Sequence, residues 1–207
     1  MPKGPNKAIV KHYQSGQYWE NRMDLVYYAY VDYVIRTIGR KATSMIDIGT
    51  GGCPYLEWFD WISERVSVDM APPFESNAVT GIQGDFLEHD FGGQTFDICT
   101  CLQVLEHVPE PERFFEKMFD IAQTVVVTVP YKWPASAAAD HIHDPVDYDK
   151  LTKWAGRGAN YHDTVHEPFR GKVGWRLIAI YDRDETVGYG RKDFKDRVRR
   201  AFIPLPD

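Results

Sequence analysis

The chain has 207 residues, of which 43% are hydrophobic and 26% charged, ordinary proportions for a soluble domain with one full core. Its 24 basic and 30 acidic residues leave a formal net charge of −6, which argues mildly against a nucleic-acid partner, whose phosphates need basic surface. No apolar run approaches the ~20 residues of a membrane span, and the opening Met-Pro-Lys-Gly-Pro-Asn-Lys has no apolar signal core, so a cytoplasmic protein without membrane contact is expected.

Residues 17 to 38 read as one amphipathic helix rich in aromatics, with Tyr18, Trp19, Leu25, Val26, Tyr28, Ala29 and Val34 on or near its apolar side. Met45 to Ile48 suits a short buried strand, which stops at Gly49, Gly51 and Gly52. Pro54 is a good first helical residue, and Tyr55, Leu56, Trp58, Phe59, Trp61 and Ile62 follow at helix-like spacing. Arg65 to Asp69 reads as a second strand ending in an acid. Pro72 and Pro73 then leave little room for a crossover helix before a third strand end at Gly81 to Phe86.

A fourth strand begins at Phe96, and Pro109 and Pro111 open a helix whose apolar face is Phe114, Phe115, Met118, Phe119 and Ala122. Thr124 to Val129 is the most strand-like run and is expected to be central. Asp144 and Pro145 open a helix through Trp154, with Asp144 as N-cap and Gly156 as its stop. Val173 to Asp182 gives a late strand, and Arg191 to Phe202 a basic tail with a helical pattern. The chain therefore reads as one domain over residues 1–207, with an N-terminal helical extension over about 1–40 and a basic tail over about 187–207. Cys53, Cys99 and Cys101 form neither a zinc spacing nor a disulfide framework and read as reduced core thiols.

A strand, a glycine turn and a helix in that order begin a nucleotide-binding α/β sheet, because glycine allows positive φ and close approach of a ligand to the main chain. The dinucleotide pattern Gly-x-Gly-x-x-Gly fails here, since its third glycine falls on Pro54. Asp47-x-Gly49-x-Gly51 fits differently, with an acid two residues before the first glycine. It resembles motif I of the class I S-adenosylmethionine (SAM)-dependent methyltransferases, departing from that pattern at Cys53, where the family usually has another glycine. Asp69, the Gly84-Asp85-Phe86 tip and the Leu105-Glu106-His107 ending of the fourth-strand segment follow in the family's order.

The resemblance implies a Rossmann-like, doubly wound α/β fold with a seven-stranded, mostly parallel sheet. It implies SAM as cofactor, held by Asp47, Gly49, Thr50 and Gly51 in the turn and by Asp69 with Met70 at the ribose. Asp85 is then expected at the adenine amino group, Phe86 on the ring, and Gln103 on the same rim. From the N-terminal helix, Arg22 or Tyr18 is expected to meet the methionine carboxylate, with residues 1 to 20 ordering on binding.

The acceptor is expected at the connection after the fifth strand, where Tyr131 to Pro134 leads to Asp140-His141-Ile142-His143-Asp144. Two histidines are short of the three or four ligands of a metal site, so no metal is expected. His143, flanked by Asp140 and Asp144, is the first candidate for general base and His141 the second. A second polar patch, Asn160 to Glu167, is expected to join across the pocket mouth. The pattern is similar to methyltransferases of sugars and other small hydroxylated metabolites, so the reading is O-methylation of a small-molecule acceptor, a carbohydrate for preference. A homo-oligomer is compatible with the sequence. A nicotinamide-dependent dehydrogenase and a non-catalytic partner subunit of the same fold are the alternatives.

Overall fold

In a computed structural model, which describes residues 16–135 and 137–200, the β-branched run read as a central strand forms β5, Ala122–Pro130. The other strands are β1 (Ser44–Ile48), β2 (Glu64–Asp69), β3 (Thr80–Gln83), β4 (Phe96–Leu102), β6 (Tyr161–His166) and β7 (Trp175–Asp182). They make one seven-stranded sheet in the order β3-β2-β1-β4-β5-β7-β6. All neighbours are parallel except β7, which runs antiparallel to both β5 and β6. Strand order reverses between β1 and β4, so a crevice opens at their carboxyl ends.

Successive side chains of β1 feed opposite layers, as the period-2 pleat requires. Ile46 and Ile48 join Cys99, Cys101, Val125 and Val127 beneath α3 (Pro111–Ile121) and α4 (Tyr148–Ala155). Met45 joins Ile98, Val126, Ile178 and Ile180 beneath α2 (Val26–Ile38) and the aromatics Tyr55 and Phe59. The three cysteines are free and buried. No helix among the described residues is long and apolar enough to cross a membrane.

Five local expectations need correction. The helix expected over residues 17 to 38 is two, α1 (Gly16–Met23) and α2, broken at Leu25, which is extended at φ −64 and ψ 141. The break has a distant cause: the Glu167 carboxylate accepts from the backbone N–H of Val26 at 2.8 Å and of Tyr27 at 3.0 Å, so it caps α2. After the glycine turn there is only a 3-10 turn, Pro54–Trp58, because Tyr55, Leu56, Phe59 and Ile62 turn into the core instead of spreading along a helix face.

Helix α4 starts later than expected. Asp147, not Asp144, is its N-cap and accepts from Lys150 N at 3.0 Å, while Gly156 ends it at φ +69 as expected. The basic tail forms a 3-10 turn at Asp193–Asp196 and then packs along α2, with Val198 N on the Arg36 carbonyl and Arg200 Nε on Asp32, both at 2.9 Å. Residues 201 to 207 lie outside the described part. The polar patch of residues 160 to 167 is mostly the edge strand β6, and none of it lines the cavity described next.

Candidate active site

A cavity of about 650 Å³ lies over the carboxyl ends of β1, β2, β3 and β4 and is roofed by α1. One end is built by the glycine turn. Gly49 and Gly51 have φ of +77 and +56, a region that L side chains rarely adopt. A Cβ on Gly49 would overlap Val104, and one on Gly51 would come within 2.7 Å of Trp19 Cζ2. Glycine is therefore required here by the protein's own packing, whatever ligand it also admits.

Asp69 locks this turn. One carboxylate oxygen accepts from Gly51 N and the other from Ala71 N, each at 2.8 Å. Burial nevertheless raises its pKa, outweighing the two backbone donors. Met70, Asp85, Phe86 and Gln103 line the same cavity. Asp85 shapes its own turn by accepting from Leu87 N at 2.9 Å, and Phe86 is buried against Phe91 and Phe114. Gln103 leaves β4 at φ +58, pinned to Thr128 by its backbone N–H and by its amide Nε2. Tyr18 and Arg22 descend from α1 with the guanidinium 5.0 Å from the ring centroid, and burial pushes the Tyr18 hydroxyl up to about 12. The expected ordering of residues 1 to 20 falls largely outside the described residues.

Asp47 and Thr50 do not line the cavity. Asp47 is 2% exposed and turned into the protein, where Tyr55 donates to it at 2.5 Å and Thr100 at 2.6 Å. The register that sets Asp47 beside Thr100 across β1 and β4 explains the second bond. Burial raises its pKa to about 6, against the pull of the Thr100, Tyr55 and Thr50 hydrogen bonds. The expectation that Asp47 holds the cofactor directly is corrected: its carboxylate braces the turn from beneath.

The other end gathers histidines and carboxylates. The connection after β5 is laced onto Glu106–Val108: Ile142 N donates to the Glu106 carbonyl at 3.0 Å, and His107 Nδ1 lies 3.1 Å from the Asp140 carbonyl. His141 Nδ1 sits 2.6 Å from Asp144 Oδ2, and its ring stacks on Trp133. His141 and His107 line the cavity edge to face, 4.8 Å between centroids. Glu106 is 1% exposed, its Oε2 has no hydrogen-bond partner, and burial raises it to about 8.

His143 is the other correction. Its Nε2 donates to the Val108 carbonyl at 2.8 Å, its ring packs on Trp154, and it does not line the cavity. The carboxylate expected to orient it belongs to His141. Trp19, read on the apolar side of the N-terminal helix beside Tyr18, and Trp133, read as part of the acceptor connection, both line the cavity; Val104 is a cavity residue that the sequence reading did not single out. Trp19 carried a signal, three positions before Arg22 on a helix; Trp133 is placed only by the fold of its loop, through Nε1 donating to the Trp175 carbonyl at 2.9 Å.

A family model for a methyltransferase domain matches residues 46–124, from β1 to the start of β5. Over those residues the chain matches a methyltransferase domain, and its sheet has the strand order and directions of the class I, SAM-dependent methyltransferase fold. Solved structures share it across most of the chain. The N-methyltransferase NodS from Bradyrhizobium japonicum WM9, in complex with S-adenosylhomocysteine (SAH), is 11% identical with a TM-score of 0.64, covering 86% of this chain and 97% of its own. A putative methyltransferase crystallised with the Haloferax volcanii Trm112 activator is 13% identical, with a TM-score of 0.64, covering 84% and 97%. The small RNA methyltransferase HEN1 is 20% identical, with a TM-score of 0.56, covering 77% of this chain and 25% of its own. At these identities the likeness is one of fold. A search of curated proteins finds no match to the chain.

Proposed function

We propose that this methyltransferase binds SAM between α1 and the carboxyl ends of β1 to β4 and passes its methyl group to a hydroxyl of a small acceptor, a carbohydrate for preference. The observation that carries this reading is one cavity with two unlike ends, a glycine turn locked by Asp69 and a Glu106–His107–His141 cluster. Asp69 takes the ribose with Met70 beside it, Asp85 the adenine amino group, Phe86 its ring, and Gln103 supports the rim. Arg22, with Tyr18, takes the methionine carboxylate. SAH bound to NodS supports this choice of cofactor.

In transfer, the acceptor oxygen forms its bond to the methyl carbon as the carbon–sulfur bond breaks, and the electron pair on sulfur leaves with SAH. The hydroxyl proton must depart, and the histidine end faces the position where that happens, His141 being held in one orientation by Asp144. The enzyme's net charge of −6 favours a small acceptor over RNA.

Calorimetric titration with SAM, and separately with NAD, tests the cofactor. SAM binding is expected, and Asp69→Ala should weaken it about tenfold or more, in line with the ~1.5–3 kcal/mol of a charged hydrogen bond. A panel of hydroxylated metabolites and short RNAs, read by SAH release, tests the acceptor. His141→Ala should lower kcat about 10²-fold and leave SAM affinity unchanged. NAD binding in place of SAM would overturn the reading.

A further inference from the structure

Glu106, His107 and His141 each offer a ligand atom to one point in the cavity wall, and those atoms all lie within 4.8 Å of one another. Sequence spacing hid this set, because the third ligand comes from the connection after β5. We propose that the three residues hold a divalent first-row cation at the acceptor end of the cavity, an inference that rests on reading this cavity as the methyl-transfer site.

Hydrogen bonding prepares both rings for the role. A carbonyl only accepts, so the 3.1 Å contact of His107 Nδ1 with the Asp140 carbonyl puts the proton on Nδ1 and leaves the Nε2 lone pair for a metal. Asp144 does the same for His141 at 2.6 Å, the carboxylate–histidine support that commonly orients metal-bound imidazole. His107 Nε2 already lies 3.8 Å from Glu106 Oε1.

Glu106 is the observation that points to a ligand. Its side chain is 1% exposed, and its Oε2 is buried with no hydrogen-bond partner. A carboxylate oxygen left in that state is costly unless a proton or a cation satisfies it. Two imidazoles and one carboxylate suit manganese, iron, cobalt or zinc better than the all-oxygen preferences of calcium and magnesium. Bonds of about 2.1 Å hold neighbouring ligand atoms about 3 to 3.4 Å apart, so the widest separation in the cluster would close by roughly 1.5 Å. Three protein ligands leave positions open toward the cavity, where an acceptor oxygen would meet the cation and lose its proton more readily.

The test uses the full chain stripped with EDTA and titrated with Mn²⁺ by calorimetry and electron paramagnetic resonance, with Co²⁺ absorption as a second probe. One equivalent should bind. Glu106→Gln and His141→Ala should each weaken binding by at least about tenfold, and Asp144→Asn, acting through His141, by about 10- to 100-fold. His143→Ala, outside the cavity, should leave it unchanged. Circular dichroism of each variant separates lost ligands from lost fold, and the Co²⁺ spectrum of the unaltered protein reports nitrogen ligation even where a variant unfolds. No binding at millimolar Mn²⁺ and Co²⁺, or binding untouched by folded Glu106 and His141 variants, overturns the proposal. SAM titration of the stripped protein keeps the two readings apart: SAM binding without metal binding sinks only the cation site, and metal binding without SAM binding sinks only the methyl-transfer reading.

Discussion

Asp47 and Glu106 are buried alike, at 2% and 1% exposed, yet the protein treats their carboxyl groups differently. Beneath the glycine turn, Asp47 has two hydroxyl donors, and its pKa rises from 3.8 to about 6. At the acceptor end, Glu106 rises from 4.5 to about 8, because its own backbone N–H and the Arg176 and Arg22 charges pull it only partway back from the effect of burial. Desolvation acts on both; hydrogen bonding decides how far each is displaced. A caged acid suits a structural brace. An acid with an unpartnered oxygen facing a cavity suits chemistry.

The largest expected effect is at Glu106. A native carboxyl that holds its proton more tightly than the unfolded chain adds stability that is full below the unfolded pKa and lost as pH rises through the folded one. For Glu106 that window runs from 4.5 to about 8, a displacement that corresponds to about 5 kcal/mol. In metal-free protein, urea denaturation of Glu106→Gln should lack this part of the decline, so the difference from the parent curve should grow steadily across the window. A constant difference would mean that Glu106 is solvated or paired in solution, and the contrast with Asp47 would break.

Asp47→Asn comes next. Its window is narrower, from 3.8 to about 6, and corresponds to about 3 kcal/mol lost as pH rises. Measured the same way, the parent and Asp47→Asn curves should diverge only below about pH 6 and run parallel above it. Divergence continuing to pH 8 would make Asp47 as poorly compensated as Glu106.

How far these roles were legible follows from where their partners lie in sequence. The seven-stranded sheet and its crevice followed from the family resemblance that the glycine turn and Asp69 carry, while strands β1, β4 and β5 were readable as largely apolar runs. The edge strand β6 was not, since only Val165 of its six residues is buried and the rest read as a polar loop. The break between α1 and α2 has no local signal at all: its cause, Glu167, sits 140 residues from Tyr27. The glycine turn and Asp69 were readable because their spacing is local. The choice between His141 and His143 depended on how a loop folds against Glu106–Val108, and two histidines two positions apart look alike until that loop is in place.

The smallest and sharpest test takes one bar out of the Asp47 cage. Tyr55 donates to Asp47 at 2.5 Å and lies 2.5 Å from the Thr100 hydroxyl, which itself donates to Asp47 at 2.6 Å. Tyr55→Phe keeps the ring that packs against Tyr28 and Phe59 and removes only the hydroxyl. A hydrogen bond to a charged group is worth about 1.5 kcal/mol or somewhat more, so the Asp47 pKa should climb by about one unit, toward 7. The pH at which stability stops falling should move up with it, and the same shift should be absent when Tyr55→Phe is made in the Asp47→Asn background. That double variant carries the argument, because loss of the hydroxyl also strips a neighbour from Thr100, and only the part of the effect that vanishes without the Asp47 carboxyl belongs to the cage. An equal shift in both backgrounds would assign the pH dependence elsewhere and leave burial alone to explain Asp47.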